Sequence, residues 1–166
     1  MAMTVQQFAA QAHDILKAEN TPKGRAKVAV LLQKALKDED FVAQTFSGET
    51  SERNILYEDP EIGFCVIAHN YTGPKESAPH DHGPSWAIYG QARGETTMSD
   101  WDLLESASPE KPGKVKKKRE YKLKLGDAHV YNEGDLHSPS RAGPTRLIRI
   151  EGTNLEKVKR LKFEAV

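Results

Sequence analysis

Cysteine is almost absent from this chain: Cys65 is the single one in 166 residues. One thiol cannot close an intramolecular disulfide, so a cross-linked secreted scaffold is excluded and a reducing compartment is the expectation. No stretch approaches the run of about 18 apolar residues that a transmembrane helix needs. The opening "MAMTVQQFAAQAHDILKAEN" has no basic region followed by an apolar core, so no secretion signal is expected, and the "NYT" at Asn70 is read as chance. A surplus of charge is lacking too. Lys plus Arg and Asp plus Glu both number 24, which argues against nucleic acid or an anionic membrane as partner. A cytoplasmic protein of one domain is expected, with no internal repeat.

Residues 4 to 46 carry helical periodicity. Val5, Phe8, Ala12, Ile15 and Leu16 recur at helical spacing, as do Val28, Leu31, Leu32, Ala35 and Leu36. Thr21 before Pro22 predicts an N-cap with proline at the first helical position. Asp38 to Phe46 is expected to form a third short helix. From Glu52 onward the texture changes to short runs rich in Val, Ile, Leu and Tyr, such as "NILY", "GFCVIAHN" and "TRLIRIEG", divided by Gly, Pro, Asn and Asp. At least seven short strands at close spacing predict a mainly β fold, a sandwich or barrel, over residues 51–166, with the helical segment 1–50 packed on it. "ESASPEKPGKVKKKRE" reads as a loop-like insertion whose basic run, Lys114 to Arg119, forms a solvated edge hairpin. The tail "NLEKVKRLKF" is expected to be a short closing helix.

Two of the six histidines, His80 and His82, stand one residue apart in "APHDHGPSWAIYG". On a strand such a pair shares one face, and inside a barrel two imidazoles would converge on one point, which suits a divalent transition metal. In the second half, "GDAHVYNEGDLH" sets a glycine-led turn, a strand and a second turn before His137. That stretch resembles the second metal motif of the cupin family, and residues 73–90 resemble the first. The resemblance implies a jelly roll, or double-stranded β-helix, with His80, His82 and His137 as metal ligands. Where most cupins add a glutamate, four or five residues after the second histidine, this chain has Trp86 and Ala87. The implied ligand set is three neutral histidines without a carboxylate.

A three-histidine set is similar to that of the cysteine dioxygenase-like thiol dioxygenases, and further segments fall in register with that family. "SERNILYEDPEIGFCVIAHN" resembles its Arg-Asn pair before a long strand, "HDHG" its histidine signature, "GETTMSDW" its next strand and "YNEGDLH" the approach to the third histidine. The likeness covers roughly residues 50–151. It implies an iron(II) dioxygenase using O2 on a small anionic substrate, a thiol-carboxylate, with Arg53 holding the substrate carboxylate; the enolate of a β-diketone equally supplies the negative charge that three neutral histidines lack. The cupin resemblance also implies a homodimer through edge strands.

Two family features are missing here. No cysteine follows the second histidine, and the Ser-His-Tyr relay of the last strand corresponds to Leu147, Arg149 and Glu151. Arg149 and Glu151 share a strand face, so they are expected to form an ion pair, or to serve as anion receptor and base. That substitution leaves two alternatives open: a non-oxidative isomerase or hydrolase with zinc, nickel or manganese, and a non-catalytic binding module. His129 is a candidate to support a metal ligand or a partly exposed barrel residue. His69 and Cys65 are expected to be structural and His13 exposed, while Trp86 and Tyr89 are candidates to line the cavity.

Overall fold

The computed structural model describes residues 3–48 and 51–166. Three helices come first: α1 (Val5–Ala18), α2 (Pro22–Leu36) and α3 (Glu39–Thr45). Each begins at a side-chain cap. Thr4 and Gln7 form a reciprocal capping box on α1, Thr21 accepts from Gly24 N ahead of Pro22, and Asp38 accepts from Asp40 N and Phe41 N. No helix among the described residues is long and apolar enough to cross a membrane.

Ten strands follow among the described residues: β1 (Asn54–Glu58), β2 (Cys65–Tyr71), β3 (Lys75–Glu76), β4 (Ala87–Arg93) and β5 (Thr96–Glu105) come before the basic region. Then come β6 (Gly113–Leu123), β7 (Ala128–Tyr131), β8 (His137–Arg141), β9 (Thr145–Glu151) and β10 (Phe163–Ala165). They make two five-stranded sheets, ordered β1-β2-β9-β4-β7 and β10-β6-β5-β8-β3.

Period-two alternation sorts the first sheet into two buried faces. Val66, Ile88, Ile148 and Ile150 point outward and pack with Phe8, Leu16, Leu32 and Phe41 of the helices. Ala87, Tyr89, Tyr131 and Leu147 point the other way and meet Met98 and Leu123 of the second sheet. Burial on both faces explains why β2 opens on a continuous apolar run, Cys65 to Ala68, rather than on an alternating one. Gly90 lets α2 press closely on the sheet, since a Cβ there would sit 2.7 Å from Leu32 Cδ2. On the inner face one ladder rung carries Ile67, Arg149, Tyr89 and His129 as successive Cα partners. That rung brings the chemistry-bearing side chains together.

Three expectations are corrected. His80 and His82 lie in the irregular segment between β3 and β4, joined to β8 by one isolated bridge, not on a regular strand. The supposed loop insertion is loop only up to Gly113, where β6 begins. Its basic residues project from an exposed hairpin and pair with acids, Lys118 with Asp102 and Arg119 with Asp100. The tail is no helix. A single 3-10 turn (Leu155–Lys157) leads to β10, which pairs in parallel with β6.

Candidate metal centre

The bridge between the two halves of the sequence brings the histidines together. His80 N donates to the His137 carbonyl at 3.0 Å and His137 N returns to the His80 carbonyl at 2.9 Å. The ring centroids of His80 and His82 each lie 4.6 Å from that of His137. One ring nitrogen of each residue lies within 4.8 Å of those of the other two. His82 and His137 are fully buried and His80 is half-buried.

Backbone carbonyls fix two of the tautomers. His80 Nδ1 is 2.8 Å from the Ala78 carbonyl and His137 Nδ1 is 2.9 Å from the Asp135 carbonyl. A carbonyl oxygen only accepts, so both Nδ1 atoms carry hydrogen and each neutral ring presents a bare Nε2. This orientation of an imidazole by its far nitrogen is the usual support of a metal ligand. Neutrality is enforced mainly by burial, which lowers His80 to about 4 and holds His82 and His137 well below the ordinary histidine value. His82 Nδ1 is buried without a partner. Three neutral nitrogen donors with one unsatisfied ring fit a borderline divalent ion such as iron, zinc or nickel.

A polar chain runs from the cluster across the sheet. The Tyr89 hydroxyl lies 3.2 Å from both His82 Nε2 and His137 Nε2, and it accepts from Arg149 Nη1 at 3.0 Å. Arg149 Nε donates to Glu151 at 2.9 Å, so the expected ion pair is present. Glu151 is fully buried and also receives Arg53 through both terminal nitrogens, at 2.8 and 2.9 Å, and Leu155 N at 3.0 Å. Burial pushes the Glu151 carboxyl up, but hydrogen bonds from Arg53 and the charge of Arg149 outweigh it and hold the group ionised. Arg53 is further engaged by Glu156 and Asn154. The sequence-derived residues therefore form two groups: His80, His82 and His137 in one, Arg53, Arg149 and Glu151 in the other, with Tyr89 as the link.

A cavity of about 560 Å³ opens beside the cluster, lined by His80, Tyr89, Arg141, Arg149, Arg160 and Lys162 among others. Among the described residues no aspartate or glutamate lines it. Arg53 is absent from this lining as well. Sequence reasoning missed Arg141, Arg160 and Lys162. Arg141 stands four residues after His137 on β8, hence on the same face, a signal available once β8 is recognised as a strand. Arg160 and Lys162 reach the cavity through the β10 pairing, for which the sequence carries no local sign.

The remaining candidates have structural surroundings. His69 is buried on β2 with Nδ1 at the Glu52 carbonyl. His129 stacks between Tyr121 and Tyr131. His13, expected to be exposed, instead bridges Asp59 and Glu61. Burial and the nearby Glu58 push the Cys65 thiol up to about 11, so it is an inert core group. Trp86 is buried against the helices.

The chain matches no protein-family model and no curated protein. Among solved structures, KdgF from a Halomonas species is 17% identical, covering 60% of this chain and 76% of its own, with a TM-score of 0.44. A cupin-2 domain protein from Shewanella frigidimarina is 13% identical, over 62% of this chain and 81% of its own, with a TM-score of 0.43. The Schizosaccharomyces pombe Cnp3 cupin domain is 9% identical, over 63% of this chain and 66% of its own, with a TM-score of 0.45.

Proposed function

We propose that this chain is a metal-dependent cupin, a double-stranded β-helix, that acts as an iron(II) dioxygenase on a small anionic substrate, first of all a thiol-carboxylate. The reading is carried by the convergence of three neutral imidazoles, with no carboxylate among them, beside a cavity lined by cations. Iron(II) held by His80, His82 and His137 would supply a Lewis-acidic, redox-active centre at which an anionic substrate and dioxygen meet.

The residues of the chain do the rest. Three uncharged ligands leave the ion's charge uncompensated, so the substrate brings the negative charge that a glutamate brings elsewhere. Arg149 faces the cavity beside the ligands and orients the anion. Glu151 fixes the angle of the Arg149 guanidinium, and Arg53, its fork already filled by Glu151, holds Glu151 in turn. Here Arg53 supports the anion site from behind. The Tyr89 hydroxyl, 3.2 Å from His82 Nε2 and His137 Nε2, would donate a hydrogen bond to an anionic substrate held beside these histidines. The apolar inter-sheet core beneath, Met98, Leu123 and Leu147, excludes water from that side.

A second reading is favoured by one observation. A phenol held by an arginine next to two metal ligands is also an acid–base group, which suits an isomerase or hydrolase with zinc, nickel or manganese. One experiment separates the two: oxygen uptake by iron(II)-loaded protein against thiol-carboxylates and β-diketones, with His137→Ala as control. Substrate-dependent uptake that vanishes in the variant supports the dioxygenase. No uptake by protein holding stoichiometric iron removes it and leaves the non-oxidative reading.

A further inference from the structure

Arg141 is only 5% exposed, yet no carboxylate among the described residues lies within ion-pairing distance of it. Its neighbour is the face of Tyr71, 4.6 Å from the guanidinium carbon, and its Nε is buried without any partner. Arginine does not shed its proton in proteins, so this mostly buried guanidinium with no carboxylate partner is an uncompensated positive charge in the cavity wall. Such a group is kept where an anion arrives. Arg149, by contrast, already has Glu151 and Tyr89.

Both arginines line the same cavity, and Arg160 and Lys162 stand at its mouth. Four cations, with no acid among the described lining residues, exceed what one metal-bound anion requires. The strand geometry separates them from the metal end. His137 and Arg141 face inward from the same strand with Pro139 between them, and four residues at strand rise set their Cα atoms about 13 Å apart. A cavity of about 560 Å³ accommodates a molecule that spans this interval.

We propose that the substrate is a dianion, with one anionic group at the histidines beside Arg149 and a second, carboxylate-class group several ångströms away on Arg141, with Arg160 at the rim. This rests on the metal-cupin reading of the same site and narrows it. A guanidinium takes a carboxylate through paired N–H donors, and an alkyl monocarboxylate bound at the metal leaves those donors unmet.

Calorimetric titration of zinc-loaded protein tests this without turnover, using succinate, glutarate and adipate against butyrate, valerate and hexanoate. At least one dicarboxylate is expected to bind about tenfold or more tightly than the monocarboxylate of equal length. Arg141→Gln is expected to bring the pair to parity, and Arg141→Lys to restore part of the preference. Arg160→Gln, at an exposed position whose loss leaves folding intact, is expected to weaken the dicarboxylate a few-fold. Equal affinities in the wild type, or a preference that survives Arg141→Gln, would overturn the proposal. The same titrations on His137→Ala separate this failure from that of the metal reading. Arg141-dependent discrimination that persists there, with no oxygen uptake by the iron-loaded wild type, keeps the dianion cradle and discards the dioxygenase.

Discussion

Arg149 donates from Nη1 to the Tyr89 hydroxyl at 3.0 Å, across a ladder rung on which the two residues are direct Cα partners. The guanidinium carbon also lies 4.9 Å from the centre of the Tyr89 ring. The pair ties the cationic side of the cavity to the histidines, because the same hydroxyl reaches two imidazoles. Losing the hydroxyl should therefore separate chemistry from metal binding. Tyr89→Phe is expected to bind metal at wild-type stoichiometry and to melt close to wild type, the lost hydrogen bond being worth about 1 kcal/mol. Its kcat is expected to fall about a hundredfold, the scale of one positioned proton donor. Metal analysis, melting and steady-state kinetics on one preparation decide this. A variant with wild-type kcat removes Tyr89 from the reaction.

Glu151 has no exposed surface and accepts four hydrogen bonds, three of them from guanidinium groups. Glu151→Gln keeps the shape but removes the charge and turns one acceptor into a donor facing Arg53 or Arg149. Leaving Arg149 without a carboxylate, and Arg53 with Glu156 alone, is expected to cost about 3–5 kcal/mol in urea unfolding. A loss below about 1 kcal/mol, the range of an exposed pair, would show that solvent already screens the cluster.

Legibility from sequence followed locality. The helices were readable because their caps and apolar stripes lie within a few residues: Thr21 and Pro22 mark the start of α2 before any tertiary contact exists. β2, β4 and β9 were readable as short runs rich in Val, Ile, Leu and Tyr. β8 was not, since "HSPSR" holds one proline, two serines and two basic residues, and it becomes a strand only by pairing with β5 and β3. β6 was readable only at its end, in "REYKLKLG"; its start hid among lysines because those side chains face solvent, where charge replaces apolar alternation. The convergence of His80, His82 and His137 was legible through their motifs, although the segment of the first two is a bridged loop. Arg141 and Arg160 escaped because the strands that deliver them carry no local signature.

Gly90 tests the link between helices and barrel. A methyl group there would come within 2.7 Å of Leu32 Cδ2 and 3.1 Å of the Ile148 carbonyl, so the Leu32 side chain or α2 itself must shift. Gly90→Ala is expected to lower stability by about 1–3 kcal/mol, the usual cost of overpacking, while metal stoichiometry stays unchanged. Parallel denaturation and metal analysis check this. Loss of metal along with stability would mean that the helices help to shape the histidine cluster.

Acid should weaken the metal-free fold in two stages, and the sign follows from proton counting. Burial is the largest cause that holds His69, His80, His82, His129 and His137 below the ordinary value of 6.5, with His80 at about 4. In the unfolded chain these rings take up protons near pH 6.5, while in the fold they do not. The unfolded state then binds more protons, so stability is full above 6.5 and falls as pH drops toward the folded values. The carboxylates act lower. Burial pushes Asp59 and Glu151 up, but hydrogen bonds from Ile62 N and Tyr57 to the first, and from Arg53 to the second, hold both below the ordinary values of 3.8 and 4.5. Their contribution is present above those values and is lost as pH falls through the depressed ones. Urea unfolding with chelator present is expected to show a continuous loss from pH 6.5 to about 4, then a second loss below it. His82→Phe removes one buried ring from the count and should flatten the first stage while leaving the second. A wild-type profile flat between pH 6.5 and 4.5 would mean that the rings already titrate in the fold, and that the cluster is more open to water than its burial implies.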